Sequence, residues 1–232
     1  LTDEFARLRE LSNLLVEETG KVDRKAAEDL RRRPYVRWAM LQHYQVYETP
    51  LLDLTQSLRA ACSFAQAPAP GGQAGDREFG YVYALGLPYP SSAVSLSTEQ
   101  EIVGVRLIAA CPALAKRPHF QEGFLAGTPE LTDNYGDKNE LDFNRRLVAK
   151  FAIPLGGGFW DCGQSRVPED LLFPTESEDP MRRVCEPLRG ALRLAEGSLF
   201  AEPVPDDREA DGEPAADGGV EALAARLRRK RG

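Results

Sequence analysis

Residues 67–76, APAPGGQAGD, constrain the fold more than any other stretch. Proline fixes φ and lacks a backbone donor, glycine leaves the chain unrestrained, and no residue in the run supplies a buried face. Ordered structure must be built separately before and after it. The organisation predicted is an N-terminal helical segment over 1–66, a linker over 67–76, a mainly helical body over 77–200 and a polar tail over 201–232.

Before the linker the apolar spacing is helical. Thr2 is a suitable N-cap, Asp3 and Glu4 sit at the positive end of the helix dipole, and Phe5, Leu8, Leu11 and Leu15 share one face, with Gly20 as the stop. Asp23 caps a second short helix carrying Ala26, Ala27 and Leu30, which Pro34 ends. A third helix is expected over Tyr35–Glu48. Thr49 and Pro50 then signal a restart, because a proline at the first helical position gives up a donor the helix does not need. Leu51, Leu54, Leu58, Cys62 and Ala65 form the stripe that follows.

After the linker, FGYVYALGL, Phe79 to Leu87, has the aromatic and branched residues of a strand and is bounded by Pro88 and Pro90. Ser97 with Gln100 and Thr98 with Glu101 form overlapping capping boxes that predict a helix to Cys111; the branched Ile102, Val103 and Val105 leave a strand as the alternative for its first half. Residues 112–136 are broken by proline and glycine. Asp137 with Glu140 is another capping signature, and Leu141, Phe143, Leu147, Val148 and Phe151 predict a helix to about Ile153. Asp179 and Pro180 open a last long helix along Met181, Val184, Leu188, Leu192, Ala195 and Leu199, with a kink expected at Pro187. The fold class predicted is mainly α: an irregular multi-helix bundle with at most a short strand or hairpin near 79–87 and an extended polar C-terminal tail.

Composition narrows the function classes. The 232 residues are 42% hydrophobic and 28% charged, enough for a sizeable core in a soluble globular chain. A net charge of −7 argues against broad nucleic-acid binding, which needs Lys and Arg that acids do not balance. The longest apolar stretch, Ile102 to Ala115, is interrupted by Arg106 and Pro112 and falls short of the ~20 residues a membrane-spanning helix requires. Cys62, Cys111, Cys162 and Cys185 show no C-x-x-C spacing, and the reading is reduced, mostly buried thiols rather than a disulfide framework.

The best internal candidate for a chemical site is the Gly-rich loop within 155–165, GGGFWDCG from Gly156 to Gly163. Glycines there allow close backbone approach, while Trp160, Asp161 and Cys162 bring an indole, a carboxylate and a thiol together; Gly157, Trp160, Asp161 and Cys162 are the ligand-loop candidates. The segment lacks the Lys-Ser or Lys-Thr of a P-loop and has no strand ahead of it to make a dinucleotide fingerprint. A tight turn packing Phe159 and Trp160 on the core is the competing reading, and the one favoured. A Cys162–His119 nucleophile pair has no spacing to support it. His43 reads as a satisfied histidine at the core edge. YGDKNELDFN, Tyr135 to Asn144, lacks the oxygen-ligand spacing of a calcium loop. No catalytic residue, metal ligand or cofactor is assigned.

The tail is the strongest pointer to function. Residues 201–217 are acidic and proline-bearing, with too little apolar surface to offset the entropy of ordering. The basic stretch VEALAARLRRKR follows, in which Val220, Leu223, Ala224 and Leu227 form one face with Arg226, Arg228, Arg229, Lys230 and Arg231 around it. That face suits an acidic partner groove or weak peripheral contact with an anionic membrane. A solvated extension, or a basic end folded back on the chain's own acidic body, are the alternatives.

The expectation for function is therefore a non-catalytic accessory or structural subunit of a larger assembly, docking on other protein subunits through its helical body and C-terminal tail. The alternative is a small enzyme or ligand-binding protein using the Gly156–Gly163 loop. Leu1 in place of an initiator methionine suggests that something upstream has been removed, which favours an organelle interior over the cytoplasm as the setting.

Overall fold

Leu8, Leu11, Leu14 and Leu15 recur on one face of the first segment, and that face is buried, which makes Thr2–Val22 the helix α1. Asp23 accepts a hydrogen bond from the Ala26 amide at 3.0 Å and starts α2 (Arg24–Arg31). Pro34 occupies the first turn of α3 (Pro34–His43), which buries Val36, Trp38, Ala39, Met40 and Leu41. These three helices agree with the sequence reading, α3 stopping short of Glu48. The computed structural model describes residues 2–67, 77–129, 143–156, 158–161, 163–196 and 218–228. The linker from 68 onward, the Asp137–Glu140 capping signature, Leu199 and the acidic stretch 201–217 lie outside those residues.

The mainly-α expectation fails beyond His43. The described residues form ten helices and six strands, an α+β fold with two antiparallel sheets. The expected restart helix is a strand, β1 (Leu51–Thr55), followed by α4 (Leu58–Ala65), for which the Ser57 hydroxyl accepts from the Ala60 amide at 3.3 Å. The helical spacing of Leu51, Leu54 and Leu58 was thus spread over two elements, and pairing of β1 with another strand won over local propensity.

The strand expected near 79–87 is β2 (Phe79–Leu85). Next come β3 (Val94–Ser97) and β4 (Ile102–Arg106), with Thr98–Glu101 turning between them where a capping box was read. Glu101 closes that turn at φ 49°, so these polar side chains border a hairpin rather than a helix. The branched run Ile102, Val103 and Val105 sits in a strand buried on both faces, and only α5 (Leu107–Ala110) remains of the helix. The broken region holds α6 (Arg117–Phe120) and a fully buried strand, β5 (Gly123–Gly127). The larger sheet has the order β1-β5-β4-β3.

The helix expected up to Ile153 is a single turn, α7 (Phe143–Arg146), leading into β6 (Leu147–Pro154), which pairs only with β2 among the described strands. A short helix α8 (Glu169–Leu172) precedes α9 (Pro180–Glu196), which runs through Pro187. The last element among the described residues is α10 (Gly218–Arg228).

One large core joins α1, α3, α9, α10 and the β4–β5 centre of the larger sheet, while a small separate core of Cys62, Val82 and Ile153 holds the β2–β6 sheet on α4. Two glycines allow the closest approaches. A Cβ at Gly80 would lie 1.9 Å from the Ala65 carbonyl oxygen, and one at Gly127 2.2 Å from that of Pro50. Among the described residues no helix is long and apolar enough to cross a membrane. Cys62, Cys111 and Cys185 are free thiols, and burial pushes the Cys185 thiol up to about 12.

A buried polar network ties α3, β1, α6 and α9 together. Asp179, at the start of α9 as its sequence predicts, accepts from the Tyr44 hydroxyl at 2.7 Å and from the Lys116, Arg117 and Met181 amides at 3.1, 3.0 and 3.2 Å. His43, only 4% exposed, has Nδ1 2.9 Å from Asp53 Oδ1. Burial holds the imidazole below its ordinary pKa, against the opposing pull of the hydrogen bond that Asp53 accepts. The folded chain therefore keeps His43 neutral where the unfolded chain already takes up a proton.

Because the unfolded state binds more protons, stability is complete above the unfolded pKa of about 6.5 and is lost as pH falls below it toward the folded value. One proton limits the slope to about 1.4 kcal/mol per pH unit. Urea unfolding at a series of pH values from 7.5 to 5.5 should show this decline, and His43→Gln should flatten it. A wild-type midpoint constant over that range contradicts the assignment.

Candidate functional site

Within the glycine loop, the described residues 158–161 form a tight turn. Gly158 and Gly163 adopt positive φ values of 93° and 83°, and the Asp161 amide donates to the Gly158 carbonyl at 3.2 Å. Phe159 and Trp160 meet edge to face, ring centroids 5.0 Å apart, and pack against the Cys62, Val82 and Ile153 core. The Trp160 indole N–H donates to Gln66 Oε1 at 2.7 Å. Asp161 is exposed; Gly157 and Cys162 lie outside the described residues. The two described aromatic side chains thus act as a wedge beneath the β2–β6 sheet.

The basic C-terminal helix is placed against the chain's own α9, and its Arg226 reaches across to α1. Ala224 and Leu227 are 2% exposed within the main core, and Val220 and Leu223 pack against it. Arg226 reaches Glu10 at 2.7 Å and Glu17 at 2.6 Å, both on α1, and Arg228 donates to the Leu194 carbonyl of α9. The Arg226 hydrogen bond holds the Glu17 carboxyl below the usual carboxylate range. Arg229, Lys230 and Arg231 lie outside the described residues. The apolar face offered to a partner is occupied from within the chain.

What the fold does leave outward is one face of the β2–β6 sheet. Alternation along β2 turns Gly80 and Val82 toward α4 and sets Phe79, Tyr81 and Tyr83 on the opposite face, 43%, 52% and 55% exposed. Gly80 faces inward because the Ala65 carbonyl comes too close for any side chain. Across the ladder Phe79 pairs with Pro154, Tyr81 with Ala152 and Tyr83 with Lys150. The Lys150 ammonium lies 4.2 Å from the Tyr81 ring centroid and 5.3 Å from that of Tyr83.

The result is a rank of three rings with a cation seated beside two of them, on a sheet held from behind by α4. Rings on a strand lose little rotamer freedom on contact, and phenols combine apolar area with a hydrogen-bonding tip. The chemistry of such a face suits stacking on apolar or proline side chains with a carboxylate near Lys150. The FGYVYAL run carried this signal as aromatics two residues apart with small residues between. It was missed because the partner strand, which supplies Lys150, read as a helix.

Among the described residues no group of three or more His, Cys, Asp or Glu side chains is gathered as a metal site would require. Compared with protein-family models, curated proteins and solved structures, the chain matches none.

Proposed function

We propose that this chain is a non-catalytic accessory subunit of a larger protein assembly, docking through the outer face of the β2–β6 sheet. The occupant is a segment of another subunit that carries apolar or proline side chains next to a carboxylate. The single observation behind this reading is the exposed rank Phe79, Tyr81 and Tyr83 with Lys150 against the two tyrosines. Aromatic anchors of this kind carry most of the energy of protein interfaces, and an isolated exposed ring would not call for explanation. Docking is assigned to the sheet rather than the tail because Leu227 and Arg226 are engaged with the chain's own helices. The Gly156–Gly163 ligand loop is the less supported alternative, since the Trp160 indole is committed to Gln66 and the small core.

A photo-crosslinking residue at Tyr83 tests the face directly in extract from the source cells. One discrete protein adduct is expected there and none from the same residue at Tyr89, which is 89% exposed elsewhere on the surface. Lys150→Glu should abolish the adduct and Lys150→Arg preserve it, because the partner is read as acidic. The proposal fails if Lys150→Glu leaves the adduct intact, or if both positions give the same products.

A further inference from the structure

On the outer face of the β2–β6 sheet, Phe79, Tyr81 and Tyr83 stand opposite Pro154, Ala152 and Lys150, and all of these are exposed among the described residues. Ala152 contributes only a methyl group. The Tyr81 ring is therefore unmatched across the ladder, at a position bounded by Pro154 on one side and Lys150 on the other. The Lys150 ammonium leans toward that position, nearer the Tyr81 ring than the Tyr83 ring. Among the described residues its partners are these ring faces and no carboxylate. The floor is fixed from behind, because Gln66 donates through Nε2 to the Pro154 carbonyl at 2.7 Å while its Oε1 accepts from Trp160. A platform already held in place has little freedom left to lose on contact.

Resting on the docking role proposed above, we infer that this face takes an extended segment in which a proline and a Glu or Asp stand two residues apart, Pro-x-Glu or Pro-x-Asp. A proline ring over Ala152 packs on the face of Tyr81. Its fixed φ, and the extended backbone it imposes on the residue before it, present the segment already in its bound form. Ala152 and Lys150 lie two residues apart on one strand, about 6.6–6.8 Å at the usual rise. An extended segment advances about 6–7 Å over two residues, so the acid two positions from the proline arrives beside the ammonium. An ammonium has three donors, and contact with ring faces leaves donors for that carboxylate. Adjacent residues of an extended segment point to different sides, and a much longer spacing carries the acid past Tyr83.

The test titrates full-length chain against fluorescein-labelled peptides of about ten residues, read by polarisation up to about 1 mM. One peptide carries Pro-x-Glu, a second has the same composition with the Glu five positions from the proline, and a third has Ala in place of the proline. Saturable binding of the first is expected, with the other two at least about fivefold weaker. Lys150→Glu should reverse the charge preference, so that Pro-x-Lys binds better than Pro-x-Glu, a swap that a merely structural lysine would not give. Tyr81→Phe should keep the binding and Tyr81→Ser lower it about tenfold or more, since the ring supplies the contact. Tyr89→Ser should change nothing. If Lys150→Glu does not fold, the peptide series on the wild-type chain decides the outcome. Equal binding of the three peptides, no saturable binding, or a folded Lys150→Glu variant that still prefers Pro-x-Glu overturns the inference, and a discrete adduct at Tyr83 in extract would then leave the docking role standing. Saturable, spacing-dependent binding with no adduct in extract upholds the peptide preference and removes the docking role instead.

Discussion

Leu227→Ala should lower the stability of the protein by about 2–5 kcal/mol, the cost of emptying a fully packed leucine site. Leu227 is 2% exposed and belongs to the same core as Leu11, Leu14 and Leu188, although α10 is the last described element. For a chain of this size each kcal/mol moves the melting temperature by about 2–4 °C, so a fall of roughly 5–15 °C in a circular-dichroism melt is expected. Leu227→Asp should be worse, because it adds an unpaired charge to the cavity. Ending the chain at Glu196 removes Leu227 together with the Arg226 contacts to Glu10 and Glu17, and should be at least as damaging. Leu223→Ala, at a half-buried position, serves as the milder comparison. If truncation at Glu196 leaves the melting temperature where it was, α10 is an appendage and its packing on α1 and α9 contributes nothing.

The second large effect belongs to Gly80→Val. Any Cβ at this position would stand 1.9 Å from the Ala65 carbonyl oxygen and 2.6 Å from its carbon, both backbone atoms at the end of α4 that no rotamer change can move. The strand must lift away from the helix. Lifting opens the small core of Cys62, Val82 and Ile153 and withdraws Trp160 from Gln66. The loss should fall among the largest seen for single substitutions, above about 4 kcal/mol locally. Hydrogen exchange should locate it: amides of β2 and β6 lose protection, while those of β4 and β5, in the main core, keep theirs. Gly156→Ala, whose added methyl would meet no atom within 4 Å, should change neither. Equal loss of protection in both sheets would mean that the β2–β6 sheet is not separately seated on α4.

How much of this was legible in the sequence depended on whether burial followed a local period. Helices α1, α2 and α9 could be read because their leucines and caps serve the same face, as Asp23 does for Ala26 and Asp179 for Met181. The larger sheet could not. Leu51 and Leu54 in β1 mimic the start of a helical stripe that continues into α4, and their strand identity comes from pairing with Phe124 and Gly127, more than 65 residues away. Thr98 and Glu101 have the chemistry of a helix cap and the geometry of a hairpin turn, a choice settled by the register of Ser97 opposite Ile102. β6 was hidden for another reason: Leu147, Val148 and Phe151 are apolar yet exposed, so their spacing reports no buried face. The aromatic rank of β2 could be seen as a strand, but its use as a surface required knowing that Gly80 lies beneath the Ala65 carbonyl.

The tail illustrates the same point from the other direction. Val220, Leu223, Ala224 and Leu227 read as an adhesive face, and the sequence left open whether it would meet another chain or this one. Placing Arg226 beside Glu10 and Glu17 was beyond local reasoning, because those carboxylates lie about two hundred residues earlier. With that face engaged, the outward aromatic sheet is the surface on which the proposed function depends.

The most direct test of that function is the native mass of the chain in gently lysed source cells, wild type against Tyr81→Ser/Tyr83→Ser, which remove two exposed rings and leave both cores untouched. The account predicts that the wild-type chain elutes in an assembly well above its own 25.6 kDa and that the double variant, folded and equally abundant, elutes as the free chain. A wild-type chain eluting at its own mass, or a variant that stays in the assembly, would contradict it.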